Sequence, residues 1–415
     1  MYKIKAMKVG RKIARLIIPF PIRNQLRKLV FNDLRRLGIL PPLRKIGFLT
    51  CKNYIEINSN NAKEILNKYR QSLKIHTNVE EDEIKPGKSL KGQNVKGIQP
   101  FIAKTETLVL DIADNKFSLR NNHLLDHELN IIGECRTEEL NKFLPVPIYQ
   151  QVISKATQLK GTVAYLSDPD PANYYHWMCR TLPLLNIYQK FFDLQEIDFF
   201  YVGQFPLSSF HKESLAQAGV AMNKVTQESC IANRLLVAIT NRTIDFGDAI
   251  NKKAYLFTRN LFLEKKSLDF YKKNNKRRIY VKRGNTSRRK ISNEMEVIHQ
   301  LEKYGFEAVV MDNKTVQEQA QVFSQAEAII AAHGAALTNL LFIQPGVKVI
   351  ELIPYGYVNN CFYVIASHGE ADYFYLQGEK TSQSNIDIRN FDIYIDLQKL
   401  DSICKMASLD KVETV

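Results

Sequence analysis

Residues 328–353 read AIIAAHGAALTNLLFIQPGVKVIELI, and the breaks in this stretch decide the fold class. Ala328–Ala332 is a short apolar run that stops at His333-Gly334. Leu337–Ile343 is apolar without strict alternation and too short to span a membrane. Pro345-Gly346 interrupts it, and Val347–Ile353 resumes as a buried strand with a single acid, Glu351. The spacing predicts strand, tight turn, short helix, turn, strand. In an open parallel sheet, ligands bind beyond the carboxyl ends of the strands. His333 and Gly334 fall at that end of the first strand, and Glu351 near that end of the next. Glycine lets a ligand approach the backbone. The N–H groups that open the following helix, from Ala335, are unpaired and partly positive, which suits a phosphate. A carboxylate one strand over suits a ribose diol. Two readings stand: a plain β-α-β unit with a glycine turn and a capped acid, or a nucleoside-diphosphate site.

The preceding residues extend the alternation. Arg277–Arg283 (RRIYVKR) has strand periodicity, and Gly284–Lys290 is a basic loop. Asn293 and Glu296 have capping-box spacing ahead of a helix with Val297, Ile298 and Leu301, which Gly305 ends. Glu307–Met311 is a further strand. Thr315 and Glu318 form a second capping box, ahead of Val316, Ala320 and Phe323. The order β-α-β-α-β-α-β calls for a parallel sheet with right-handed crossovers, a Rossmann-like half. Between Tyr271 and Asn293 stand ten Lys and Arg and no acid. Guanidinium groups there pair well with phosphate oxygens.

A second α/β half lies upstream. Gly161–Leu166, Asp198–Val202 and Arg234–Thr240 read as strands, with a helix over Ser208–Gly219. Asp168 and Asp170 form a D-x-D, a spacing that metal sites use. The prolines beside them fit better as a turn that opens a helix. On that helix Asn173, His176 and Arg180 share one face, and Pro183 should kink it. A histidine there suits general-base chemistry near neutral pH; it also fits a structural role in the loop.

Three segments together resemble glycosyltransferase family 61: RIYVKRGNTSRRKISNE from Arg278, AHGAALTNLLFIQPGVKVIEL from Ala332, and NYYHW at Asn173–Trp177. The resemblance spans roughly residues 160 to 355, with the motifs in the expected order. The family includes bacterial capsular polysaccharide transferases, plant xylan-decorating transferases and secretory-pathway O-GlcNAc transferases. The resemblance implies a GT-B-like fold, two Rossmann-like lobes facing a cleft. It implies a nucleotide-sugar donor, UDP-linked, and inversion at the anomeric carbon without a metal. His176 is the candidate catalytic base. Arg283, Arg289, His333, Gly334, Ala335 and Asn339 are candidate donor-binding residues, and Glu351 a candidate ribose ligand. Asn173 and Arg180 would line the cleft. An acid often follows the His-Trp pair in this family; here Cys179-Arg180 stand instead, which weighs against a carboxylate base from this helix. The implied domains are an N-terminal acceptor lobe over 46–255 and a donor lobe over 256–415. The last helix, near Leu397–Met406, would pack back on the first lobe.

Charge separates the first 45 residues from the rest. They hold thirteen Lys and Arg against one acid, Asp33, which is +12 of the total +15. The remaining 370 residues hold 45 bases and 42 acids. Ile13, Leu16, Ile17, Leu26, Leu29 and Val30 recur among these cations at helical spacing, interrupted by Pro19 and Pro21. Basic amphipathic helices of this kind suit an anionic membrane surface; solvated helices packed on the core are the alternative. Nothing resembling a signal-peptide cleavage site follows. The expected location is cytoplasmic, peripheral on the inner face of a membrane, where a lipid-linked or nascent glycan acceptor would be presented. The six cysteines are scattered and form no CxxC pair, so reduced thiols are expected.

Residues 50–150 read as a β-rich lead-in, with an acidic loop at Glu80–Glu83 and a flexible polar stretch at Lys85–Val95. His123 and His127 flank Asp126 without further ligands, so a surface turn or helix is expected. A pI of about 9.3 raises nucleic-acid binding as an alternative function. The near-neutral remainder and the lack of an aromatic-basic stacking motif argue against it. A non-catalytic scaffold of a polysaccharide assembly is the other alternative.

Overall fold

The computed structural model describes residues 54–56, 73–90, 98, 100–113, 116–120, 122–133, 155–168, 170–242, 250–263, 277–284, 288–357, 359–380 and 391–412. The basic segment 1–45, Cys51 and Cys135 lie outside them. The fold is mixed α/β. It divides into two compact units, one of residues 1–73, 112–160 and 228–233, the other of residues 74–111, 161–227 and 234–415. The second unit thus takes residues from both sides of position 255.

In chain order the strands are β1 (Tyr54–Glu56), β2 (Leu73–Ile84), β3 (Lys88–Ser89), β4 (Phe101–Ile112), β5 (Ser118–Arg120), β6 (His123–Leu125), β7 (Ile131–Gly133), β8 (Thr157–Tyr165), β9 (Phe199–Tyr201), β10 (Val225–Thr226), β11 (Cys230–Arg242), β12 (Arg277–Lys282), β13 (Phe306–Val310), β14 (Ala326–Ala332), β15 (Lys348–Ile353) and β16 (Asp372–Gln377). The helices are α1 (Tyr174–His176), α2 (Leu184–Tyr188), α3 (Ser209–Gln217), α4 (Lys252–Phe262), α5 (Glu294–Glu302), α6 (Val316–Ser324), α7 (Cys361–His368) and α8 (Leu397–Met406). A π-turn covers Trp177–Thr181 and a 3-10 helix covers Ala335–Phe342.

The first unit is a small antiparallel meander. β5, β6 and β7 pair in succession, and β1 joins β7 in parallel. His123 lies in a strand and His127 in the tight turn that Asp126 closes by accepting from the Asn130 N–H. Among the described residues no group of three His, Cys, Asp or Glu is arranged to hold a metal. None of their helices is long and apolar enough to cross a membrane.

The second unit holds the parallel sheet expected from Arg277 onward. Its order is β13-β12-β14-β15-β16-β3, every pair parallel. β12 and β14 are neighbours although β13 intervenes in sequence, so the winding reverses between them. That reversal opens the crevice where doubly wound sheets bind ligands. Period-two alternation divides each central strand between two cores. Ile279, Val281, Ile329, Ala331 and Val349 face one, with Leu337, Leu340, Leu341 and Phe323. Tyr280, Ala328, Ile330, Ile350 and Leu352 face the other, with Val297, Leu301 and Leu400. A second parallel set, β8-β9-β10 with α3 between β9 and β10, lies in the same unit.

Several expectations need correction. Glu80–Glu83 is no loop but part of β2, and Glu80 is buried because Lys190 and Lys253 neutralise it. Lys88 and Ser89, placed in a flexible stretch by composition, form a strand on the edge of β16. Asn293 precedes α5 but makes no capping bond; its amide instead holds the backbone of Ile395. The last helix, α8, buries Leu400 and Ile403 in the core with Tyr280 and Ile330. It packs on α5 and β16, with Asp401 accepting from Tyr304 Oη. The Thr315–Glu318 capping box forms as read.

Candidate active site

The first part of the site follows β8. Asp168 is buried, and a carboxylate is costly to bury unless paired. Its Oδ1 accepts from His176 Nδ1 at 2.9 Å and its Oδ2 from Arg180 Nε at 2.8 Å. The Asp170 N–H donates to Oδ1 at 3.0 Å. Burial opposes its ionisation, but the Arg180 charge and the His176 hydrogen bond win and hold the carboxyl well below the usual range. With Nδ1 donating to Asp168, Nε2 is the His176 nitrogen left to take a proton.

Local sequence explains the geometry. The Asn173 side chain accepts from the Tyr175 N–H and starts the helix. The helix does not continue as α to a proline kink. It widens into the π-turn, with the Leu182 N–H bonded to the Trp177 carbonyl. The wider turn brings His176 and Arg180 to one carboxylate; single π-turns inside helices recur at functional sites. Trp177 anchors the turn, fully buried, with Nε1 donating to Ser214 Oγ at 2.7 Å. His211 fixes the loop ahead of it. Its Nδ1 accepts from the Ser208 N–H, so Nε2–H donates to the Pro171 carbonyl at 3.0 Å. Burial pushes His211 down to about 4, so it is neutral at pH 7.

The second part lies at the winding reversal. Arg283 follows β12 and donates Nη1–H to the His333 carbonyl at the end of β14. Arg289 stands over the Tyr357 ring, 5.7 Å from its centre. The buried Nε of each arginine has no hydrogen-bond partner. Burial, and then the neighbouring Arg289 charge, push Arg283 down to about 10. Two adjacent guanidiniums with unsatisfied buried donors are the environment a polyanion would relieve. The 3-10 helix begins beside them, its first bond running from the Leu337 N–H to the Gly334 carbonyl. The N–H groups of Ala335 and Ala336 precede that bond.

Gly334, Glu351 and Asn339 differ from expectation. Gly334 has extended backbone, φ 172, and what approaches it is Arg283: a Cβ there would overlap Nη1 and lie 2.9 Å from Cζ. Glu351 is fully buried and both of its oxygens are engaged, one by His333 Nδ1–H and the other by Tyr373 Oη–H. It orients His333 and has no oxygen turned to a ribose. Asn339 is also fully buried. It accepts from Tyr174 Oη at 2.9 Å and donates to Gln319 Oε1 at 2.8 Å. It therefore ties α1 and α6 to the 3-10 helix and does not reach a phosphate. His333 is walled by Tyr357 and Phe362, and Phe362 also meets Tyr175, next to His176.

Three residues of this frame gave no signal in the sequence. Tyr373 completes the Glu351 pair from β16. Arg259 of α4 donates to the carbonyls of Leu341 and Ile343, at 2.9 and 2.6 Å, and secures the far end of the 3-10 helix. Glu213 of α3 accepts from the N–H groups of Val316 and Gln317 and caps α6 from outside. None of the three lies in a motif, and each acts on backbone or on a buried partner distant in sequence.

Residues 174–350 match a family model described as Glycosyltransferase 61. No curated protein matches the chain. The match contains α1 with His176, the loop with Arg283 and Arg289, and the His333-Gly334 turn, while Asp168, Glu351 and Tyr373 lie outside it. Over that segment the chain is similar to glycosyltransferase family 61, a family of transferase enzymes.

Proposed function

We propose that this glycosyltransferase moves a sugar from a nucleoside-diphosphate donor, UDP-linked, to a hydroxyl of a glycan acceptor, with inversion and without a metal. The observation that carries the reading is the Arg283–Arg289 pair beside Gly334, with its two unsatisfied buried Nε donors. In the proposed step the acceptor oxygen attacks the anomeric carbon from the face opposite the diphosphate. The bond from that carbon to the phosphate oxygen breaks, and its electron pair stays on the diphosphate. Arg283, Arg289 and the N–H groups of Ala335 and Ala336 stabilise that charge, as preorganised donors do. The acceptor proton passes to His176 Nε2, and Asp168 stabilises the imidazolium that forms. Glu351 and Tyr373 hold His333 in the phosphate wall.

The parallel sets β8-β9-β10 and β12–β16 support reading the fold as GT-B-like, with two Rossmann-like halves. The biological setting we propose is capsular or exopolysaccharide synthesis on the inner face of a membrane, reached through residues 1–45. Calorimetry with UDP tests the site. Wild type should bind, and Arg283→Ala should lose at least tenfold in affinity with its fold intact. Equal affinity in both would remove the donor site.

A further inference from the structure

A carboxylate stands close to the arginine pair without neutralising it. Asp392 lies just ahead of α8, in a segment laced to the loop after β12. The Ile393 N–H donates to the Lys290 carbonyl, the Ser292 N–H donates to the Ile393 carbonyl, and Ile291 and Ile393 form a parallel bridge. The Asn293 side chain donates to the Ile395 carbonyl and accepts from the Ile395 N–H. Asp392 is thus held in place through its neighbours.

Its Oδ1 accepts from the Lys290 N–H at 2.9 Å. That N–H belongs to the peptide that joins Lys290 to Arg289. Arg289 has left-handed backbone, φ 54, a conformation that a residue other than glycine keeps where its surroundings impose it. The Asp392 charge also reaches Arg283, where it works against the burial and the Arg289 charge. Yet Asp392 forms no ion pair with either arginine. Its Oδ2 has no partner among the described residues and is not sealed from solvent. An open carboxylate oxygen beside a diphosphate site repels the phosphates. It is also an acceptor only, so the ligand group that suits it is a hydroxyl.

The two faces of the sheet indicate which hydroxyl. α1 and the π-turn bury Tyr175, Trp177 and Met178 in the core that holds Ile279, Val281 and Ile329. Ile393 and Ile395, which follow Asp392, enter the opposite core with Tyr280 and Ile330. His176 and Asp392 therefore come to the crevice from opposite faces of the sheet, and the end of β12, with Arg283, lies between them. A nucleotide sugar runs from sugar to diphosphate to ribose. With the diphosphate on the arginines and the sugar toward His176, the ribose falls on the Asp392 side.

We infer that Asp392 is a specificity residue for the donor, whose Oδ2 accepts from the ribose hydroxyls, the task that the enclosed Glu351 cannot perform. The inference rests on the donor reading proposed above. One carboxylate oxygen has two lone pairs, enough for both hydroxyls of a cis diol. A site built to bond a hydroxyl rejects the analogue that lacks it.

Calorimetry of the full-length protein with UDP, 2′,3′-dideoxy-UDP and inorganic pyrophosphate tests this. Wild type should bind UDP at least about tenfold more tightly than the dideoxy nucleotide, as a hydrogen bond to a charged group implies. Asp392→Asn keeps an acceptor for the Lys290 N–H. It should bring UDP down to the level of dideoxy-UDP and weaken neither dideoxy-UDP nor pyrophosphate. Thermal unfolding checks that the variant folds. A loss shared by all three ligands would make Asp392 only an anchor of the loop, and a gain for UDP would make it only a repelling charge; either result overturns the inference. So does wild-type protein that binds UDP and dideoxy-UDP alike, which needs no variant. Wild type that binds neither UDP nor pyrophosphate overturns the donor reading itself.

Discussion

Gly334→Ala separates two reasons for a glycine. The backbone there is extended, φ 172, and open to any residue, so alanine adds no backbone strain. The new Cβ would instead occupy the place of the Arg283 guanidinium, 2.9 Å from Cζ and overlapping Nη1. The side chain has to leave the His333 carbonyl and lose its aim at the crevice. A hydrogen bond to a charged group contributes about 1.5–3 kcal/mol. Losing one guanidinium–phosphate contact should thus weaken UDP binding about 10- to 150-fold. Arg283→Ala should cost the same. The double variant is the decisive sample: if the glycine serves only the arginine, it loses no more than either single variant. Isothermal calorimetry measures all four proteins, and thermal unfolding checks that each is folded. Wild-type affinity in Gly334→Ala alongside loss in Arg283→Ala would refute the reasoning, and so would additive losses.

Asp168→Asn keeps the shape and removes the charge that His176 and Arg180 share. We expect kcat to fall at least about 100-fold with UDP affinity unchanged, and stability to fall by roughly 3–5 kcal/mol as the Arg180 charge loses its partner; a wild-type kcat would remove the dyad from the mechanism. His211 sits near 4 when folded against 6.5 when unfolded. Its neutral form therefore stabilises the fold fully above pH 6.5, and that contribution, up to about 3 kcal/mol, disappears as pH falls from 6.5 to 4. His211→Gln should show a shallower fall in Tm over that window, and parallel curves would count against it. Transfer should persist in EDTA; a strict need for Mn²⁺ would return Asp168 and Asp170 as ligands. Deleting residues 1–45 should release the protein from anionic liposomes at moderate salt and leave transfer to a soluble acceptor intact, measured by co-sedimentation; equal pelleting of both forms would sink the membrane reading.

Local chemistry explains what could be read in advance. The strands β12 to β15 are runs bounded by Gly, Pro and capping residues, so their succession along the chain was visible residue by residue. The arginine loop and the His-Gly turn were visible because they are runs of chemistry at fixed spacing. The partners of those groups were not. Asp168 reads as half of a D-x-D, and only the fold brings it to His176 and Arg180. Glu351 reads as a strand-end acid open to a ligand, and only β16 supplies the Tyr373 that closes it. The error at Glu80 has the same source. A cluster of acids looks solvated until Lys190, a hundred residues away, arrives beside it.

The two-residue strand at Lys88–Ser89 bears on how such enzymes can be recombined. It closes the outer edge of the sheet, where Ser89 Oγ donates to the Tyr375 carbonyl. Tyr363 Oη donates to the Lys85 carbonyl just before it, and the Lys85 N–H donates to Ser367 Oγ. A cut near position 255 would strip that border and expose a bare strand edge, which invites pairing with other copies. The same cut removes Glu213 from α6 and Tyr174 from Asn339. The half that holds this sheet is therefore not a cartridge to be exchanged between transferases. A graft that keeps it working has to carry residues 85–89 along, much as a door is moved with its frame.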